Sequence, residues 1–238
     1  MENSDIRKVF TREDIDQMEK VPRLNLVNSC VGYKSANLIA TRNLDGKSNL
    51  AMFGSVLHIG SNPPLLGFIQ RPISTPRDTY ANIKESGWFT VNHVSTSMIK
   101  DAHHTSAHYD TNESEFDHTA LEEEFVEGVE VPFVAESPIQ VLCRFENEYP
   151  IQENGTVLIV AAIEMIRVDF GLMGDDGWLR LDKGAVVAVN GLDGYSLPRL
   201  LNRFSYARPG ETSESLLVHN GKNGDDVPRQ IADSETAS

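Results

Sequence analysis

The chain has 238 residues, with 35 acidic and 21 basic side chains and a formal net charge of −14. Because this excess of negative charge repels nucleic-acid phosphates, we expect no nucleic-acid partner. No apolar run approaches the length of about eighteen residues that a membrane span requires, and the first residues lack a basic and then apolar leader. Two cysteines, Cys30 and Cys143, are too few for a disulfide framework, and both lie in apolar runs that favour buried thiols. The sequence therefore predicts a cytoplasmic protein that does not enter a membrane.

Residues 1–20 predict a peripheral segment with one short helix. Thr11 is a suitable N-cap, and Asp14 stands where an acid reaches back to close a capping box. Apolar residues in strand-like runs then predict strands at 24–31 and 36–41, which we expect to pair as a hairpin.

A corner with the sequence Ser-Asn-Pro-Pro, residues 61–64, is the clearest break in the next region. Its prolines exclude a helix there, so we expect one strand before it, at 49–59, and another after it, at 65–69. Residues 88–94 alternate as a half-buried strand does.

A helix is predicted between the last two of these strands. Thr75 is a suitable N-cap, Pro76 suits the first helical position and Asp78 stands where a capping-box acid reaches back. The helix is expected to end near Gly87.

The start of this predicted helix is a candidate phosphate site. Its free backbone N–H groups and positive dipole end lie among two arginines and three hydroxyls, namely Arg71, Arg77, Ser74, Thr75 and Thr79. An ordinary capped helix with two solvated arginines explains the same residues equally well from local chemistry. The local pattern leaves both interpretations open.

An acidic insert follows. Between Asp101 and Cys143 there are eleven acidic residues and no Lys or Arg, which predicts a solvent-facing or loop-like segment. Within it, Glu136 is expected to fix a turn by accepting backbone N–H groups. The pair His103 and His104 does not predict a metal site, because adjacent side chains point in different directions and no further ligand has metal spacing.

Strands at 139–145 and 156–163 complete the predicted core. Since strands dominate and one central helix interrupts them after the Ser-Asn-Pro-Pro corner, we expect an all-β dominated fold with few helices, closed as a split barrel. We expect one such domain over 21–209. Residues 210–238 are rich in Ser, Gly and acids and predict a disordered tail.

Four blocks in order resemble the flavin reductase-like family, of the flavoredoxin type. They are Asn-Leu-Ala-Met-Phe-Gly-Ser at 49–55, Ser-Asn-Pro-Pro-Leu at 61–65, Arg-Asp-Thr at 77–79 with Asn-Ile at 82–83, and Gly-Trp-Phe-Thr-Val-Asn at 87–92. The segments Glu-Phe-Asp at 115–117 and Val-Ala-Glu-Ser-Pro-Ile at 134–139 extend the similarity to roughly residues 20–205.

This resemblance implies an FMN-binding split β-barrel that pairs as a homodimer with the flavin at the subunit boundary; FAD is the less favoured cofactor. It assigns the flavin ring to residues of the first block, which are Asn49, Ala51, Met52, Phe53, Gly54 and Ser55. It assigns a ribityl or ring contact to Ser61 and Asn62, and a further contact to Ser106. The phosphate falls to Arg71, Ser74, Thr75, Arg77 and Thr79. Met52 and Gly54 depart from the common Pro and Ser variants, and Arg77 stands where many relatives have Lys.

The function implied is an oxidoreductase in which NAD(P)H, bound transiently, passes hydride to flavin. No catalytic side chain is expected, because the flavin carries the chemistry. Reduced flavin would leave for a partner oxygenase, or its electrons would pass to another acceptor. The alternative is a flavin-binding or electron-carrier protein that does not oxidise NAD(P)H. No Gly-x-Gly-x-x-Gly or Walker pattern indicates a dedicated nucleotide domain.

Overall fold

A seven-stranded antiparallel sheet dominates the computed structural model, which describes residues 7–74, 77–110, 113–219 and 226–228. Its strands, in sheet order, are β3 (Ser48–Phe53), β2 (Asn37–Arg42), β6 (Trp88–His93), β9 (Ile139–Ile151), β10 (Thr156–Val168), β5 (Pro64–Gln70) and β4 (Leu57–Ser61). The predicted split β-barrel is confirmed.

Short elements surround this sheet. The helices are α1 (Arg12–Gln17), α2 (Lys20–Cys30), α3 (Asp78–Ser86) and α4 (Ile99–His104), with 3-10 turns at Thr96–Met98 and Glu115–His118. The small strands are β1 (Lys34–Ser35), β7 (Glu123–Glu124), β8 (Phe133–Val134), β11 (Ala188–Asn190), β12 (Gly194–Ser196), β13 (Leu217–His219) and β14 (Asp226–Pro228).

The barrel interior is packed around three aromatic rings. Phe68 makes edge-to-face contacts with Phe53, at 5.0 Å between ring centroids, and with Phe89, at 5.6 Å. Ile83 of α3 is fully buried against the same interior. The helix therefore closes the barrel beside β2, β3 and β6.

A second buried cluster lies on the opposite face of β2 and β3. It joins Leu38 and Leu50 of the sheet to Met98 and Ala102 of the α4 region and to Phe116 of the insert. Consecutive side chains of a strand point to opposite faces, so β3 contributes to both cores.

The N-terminal helix prediction is confirmed. Thr11 caps α1 by accepting from the backbone N–H of Asp14, and the Asp14 carboxylate accepts from the Thr11 backbone N–H at 2.7 Å. The Thr11 hydroxyl also donates to the Asp14 carboxylate, at 2.7 Å, and this bond, followed by the one from the Thr11 backbone N–H, lowers the pKa of Asp14.

The predicted strand at 24–31 is wrong, because those residues belong mostly to α2. β2 already pairs with β3 on one side and β6 on the other, so the sheet has no edge there for a hairpin partner. The carbonyl of Asn28, near the end of α2, accepts from the Lys34 ammonium at 3.3 Å. Because residue 30 belongs to α2 and not to a buried strand, Cys30 is exposed. Cys143 is buried as expected, and burial raises the pKa of its thiol.

The acidic insert is mostly loop, as the prediction allowed, but it is only partly solvent-facing. Several of its apolar side chains, among them Phe116 and Phe133, are buried in the hydrophobic cores. Its acidic residue Glu115 is also buried, at 9% exposure. The predicted role of Glu136 is confirmed, because its carboxylate accepts the backbone N–H of Glu122 at 3.2 and 3.3 Å.

Two chain segments also differ from their predicted form. The strand expected at 49–59 is two strands, β3 and β4, with a link at 54–56. Within the predicted tail, β13 pairs with β14, so the described part is not wholly without regular structure. The rest of the tail lies outside the described residues. No helix in the described ranges is long and apolar enough to cross a bilayer.

Candidate cofactor-binding site

The block at 49–55 is hydrogen-bonded to β5 at one end and to α3 at the other. At the first end, the Ser55 hydroxyl donates to the Ile69 carbonyl at 3.1 Å and accepts the Ile69 N–H at 3.3 Å, near the end of β5. At the other end, the Asn49 amide donates to the Thr79 hydroxyl at 2.9 Å. Two segments that the sequence singled out separately are therefore neighbours in space.

The helix within this site begins two residues later than predicted. Arg77 occupies the N-cap position, with no side-chain cap, and Asp78 is the first helical residue. Thr75 and Pro76 lie outside the described residues. The expected C-terminal end is confirmed, since Gly87 closes α3 in the left-handed conformation with φ of 78°.

Unsatisfied hydrogen-bond donors mark this helix start. The Nε of Arg77 is buried without a partner among the described residues. Buried donors of this kind are costly unless a ligand or water accepts from them. Thr79 is buried and accepts from Asn49, which leaves its own hydroxyl hydrogen to donate. Arg71 and Ser74 are exposed. These donors suit an anionic group held at the N-terminus of α3.

The outer edge of β3 presents backbone groups. The Leu50 N–H points away from β2 and donates to the Glu115 carboxylate at 2.8 Å. Because alternate residues of an antiparallel strand direct their backbone groups to the same side, Met52 directs its N–H and C=O outward as well. No strand in the described ranges pairs with this edge. A flat polar ligand edge can therefore bind at Met52.

Ala51, Phe53 and Gly54, in the block at 49–55, are half-buried. Ala51 is half-buried on the interior face, opposite Ile39 of β2. Phe53 packs into the barrel on Phe68. Gly54 is small for a packing reason, because a Cβ there would lie 3.0 Å from the Val189 side chain.

Three predicted contacts lie farther away or on a different element. Ser61 and Asn62 occupy the β4–β5 turn, about 20 Å along β5 from its end at Gln70. The Ser61 hydroxyl lies 3.4 Å from the Nε2 of His58, within hydrogen-bond distance. Ser106 is exposed and follows α4, which packs on β3. Their assignment to the flavin stays a prediction.

Sequence reasoning did not assign a site role to Glu115, Asn37 or His93. Asn37 lies directly between Phe53 and His93 across the sheet, and its Oδ1 and the Nδ1 of His93 are buried without partners among the described residues. Burial lowers the pKa of His93 to about 4, so its ring is neutral at pH 7. The signal for Glu115 was its position in the Glu-Phe-Asp segment; the spatial pairing itself has no local sequence signal.

Cavities and metal ligands do not define this site. A cavity of about 400 Å³ includes Lys47 and Ser48, at the start of β3, and one of about 360 Å³ includes Ser95 and Lys183; neither contains the predicted flavin contacts. No group of three or more potential metal ligands occurs in the part of the chain that the structure describes.

The fold is a split barrel in which the first turn of α3 is hydrogen-bonded to the edge strand β3. The family model for the flavin reductase like domain matches residues 33–176. The chain belongs to the flavin reductase-like family.

Solved structures and a curated relative are similar to this chain over most of its length. A split-barrel protein from Shewanella frigidimarina NCIMB 400, assigned as a flavin reductase, is 39% identical with a TM-score of 0.82, covering 84% of this chain and 100% of the other. Nitrilotriacetate monooxygenase component B from Bacillus cereus is 20% identical with a TM-score of 0.73, covering 84% and 100%, and shows likeness of fold. An uncharacterized protein of Halalkalibacterium halodurans is 28% identical over 200 residues, covering 82% and 94%.

Proposed function

We propose that this protein binds FMN and transfers hydride from NAD(P)H to it. The observation that carries the proposal is the buried Nε of Arg77 at the start of α3, which has no partner among the described residues. The same helix start is joined to β3 through Thr79 and Asn49. A phosphate would accept from Arg77 and from the helix start, and the ring would extend along β3. FMN fits this arrangement better than riboflavin because only FMN carries the phosphate.

The protein's own residues bind and orient in this proposal. Bound flavin supplies the hydride-accepting chemistry. The outward N–H and C=O of Met52 are placed to hold the polar edge of the ring, and Arg77 with Thr79 fixes the opposite end. α3 is itself held on the barrel, since the Tyr80 hydroxyl donates to the Glu148 carboxylate at 3.0 Å.

When purified protein is titrated with FMN, we expect a saturable change in the absorbance spectrum of the flavin. The same titration with riboflavin should give a weaker change. With FMN added, NADH or NADPH should be consumed faster than by free flavin. Both signals follow from a site that places the ring within reach of a second, transient ligand. A flavin spectrum that stays unchanged by the protein would remove the proposed cofactor.

A flavin-binding protein without NAD(P)H oxidation is the second candidate. The departures of Met52 and Gly54 from the common Pro and Ser variants favour it. The space beside the Cα of Gly54 is occupied by the Val189 side chain and is not open to a ligand. Saturable FMN binding with NAD(P)H consumption no faster than free flavin would select this candidate. In the enzyme case, the component B name of the Bacillus cereus neighbour supports delivery of reduced flavin to a partner oxygenase.

We also propose a homodimer that uses the exposed face of α2. Apolar side chains recur on one side of this helix at Val21, Leu24, Val27 and Val31, with exposed fractions of 63%, 38%, 45% and 70%. No residue of α2 is buried. A further set of exposed apolar side chains follows β12, at Leu197, Leu201, Phe204 and Tyr206. Apolar surface of this extent favours association with a second copy.

Replacing Leu24 with glutamate is expected to convert the dimer to a monomer in light scattering at micromolar concentration, because a charge would be placed in the buried interface. Leu44→Glu is the matched control, since Leu44 is also an exposed leucine but lies in the β2–β3 turn. A dimer that survives Leu24→Glu and dissociates with Leu44→Glu would contradict the assignment of the surface.

A further inference from the structure

Glu115 connects the acidic insert to the strand that carries the proposed ring contacts. Its carboxylate accepts the Leu50 N–H at 2.8 Å, although the two residues are 65 positions apart. The carboxylate is one of the few acidic groups of the insert that is buried, at 9% exposure. A buried carboxylate is expensive unless hydrogen bonds compensate its desolvation, so this bond constrains β3 strongly.

The Glu115 carboxylate also interacts electrostatically with a residue at the proposed phosphate end of the site. Asp78, in the first turn of α3, acts on Glu115 electrostatically, as does His118 of its own 3-10 turn. Burial is the largest influence and raises the pKa of Glu115, whereas the Leu50 N–H acts in the opposite direction. Glu115 is therefore hydrogen-bonded at the edge of β3 and is close enough to the first turn of α3 for the charge of Asp78 to act on it.

The hydrogen bond to Glu115 matters for the position of β3 because β3 is an edge strand of the sheet. Its inner side pairs with β2 from Ser48 to Phe53, but no strand of the described chain pairs with its outer side. The Glu115 carboxylate takes the place of a strand partner at Leu50. Met52, two residues further, directs its free N–H and C=O to the same side.

We propose that Glu115 is a positioning residue for the flavin ring: by holding the outer edge of β3 at Leu50, it sets where the backbone groups of Met52 meet the ring. This inference rests on the proposed flavin binding. It gives the insert a function at the site, although Glu115 itself does not touch the ring.

Glu115→Ala is expected to weaken FMN and riboflavin by the same factor, about tenfold, in fluorescence titrations of folded protein well below its unfolding temperature. The factor is shared because the ring, common to both ligands, is displaced while the phosphate site is intact. Glu115→Gln should restore both affinities to within about twofold, since its amide oxygen still accepts the Leu50 N–H. A role in stability alone would leave the affinities of the folded variant unchanged.

Glu136→Ala is the matched control, because Glu136 also accepts a backbone N–H within the insert, but from Glu122 and not from a residue of β3. It should change neither affinity. If Glu115→Ala does not fold, Glu115→Asp replaces it, with a smaller loss that is again equal for both ligands. A folded Glu115→Ala or Glu115→Asp variant that binds riboflavin as the wild type does would overturn the inference while wild-type FMN binding stands. A wild type that binds neither flavin would overturn the proposed function itself.

Discussion

Replacing Arg77 with alanine is expected to weaken FMN binding by about thirtyfold while riboflavin binding changes by less than about twofold. The buried Nε of Arg77 has no partner among the described residues, so a phosphate would gain a charge-assisted hydrogen bond in a partly desolvated position. Riboflavin has no phosphate to lose. The two affinities are measured by fluorescence titration under the same buffer and salt, because ion pairing weakens as salt rises.

Arg12→Ala is the control for this experiment. Arg12 is an exposed arginine of α1, 2.7 Å from Asp16, and Arg12→Ala removes one positive charge, as Arg77→Ala does, without touching the site. Both flavins should bind the control as they bind the wild type. An equal loss of FMN and riboflavin in Arg77→Ala would refute the phosphate assignment.

Replacing Phe68 with alanine is expected to destabilise the protein by about 4 kcal/mol. Phe68 is fully buried between Phe53 and Phe89, so its removal loses both burial and ring contacts and leaves a cavity at the centre of the barrel. The free energy of unfolding is obtained from urea denaturation at one fixed protein concentration, because association shifts apparent stability. Since Phe53 belongs to the block at the site, flavin binding should weaken as well.

Phe170→Ala is the matched control for stability, because Phe170 is a fully exposed phenylalanine beyond the end of β10. It should change the free energy of unfolding by less than about 0.5 kcal/mol. A decrease in the free energy of unfolding in Phe68→Ala no larger than in this control would mean that the stability of the barrel does not depend on the packing of the Phe68 ring.

Local signals predicted the elements that depend on neighbouring residues. Thr11 and Asp14 close a capping box three residues apart, and the strand at Trp88–His93 follows from alternation within six residues. Gly87 ends α3 because a left-handed conformation suits glycine. The contacts of β3 were beyond this kind of reasoning, since Glu115 and Val189 reach it from distant parts of the chain.

The sequence by itself determined the family, the split barrel and the segments that carry the candidate site, because ordered blocks, strand periodicity and turn residues are local properties. Only the tertiary structure decided that residues 24–30 form a helix, since β2 had no free edge to accept them as a strand. It also decided that Arg77 occupies the N-cap position of α3, with a buried Nε that has no partner among the described residues. Burial and long-range pairing determine these features, and neither is fixed by the neighbours of a residue in the chain.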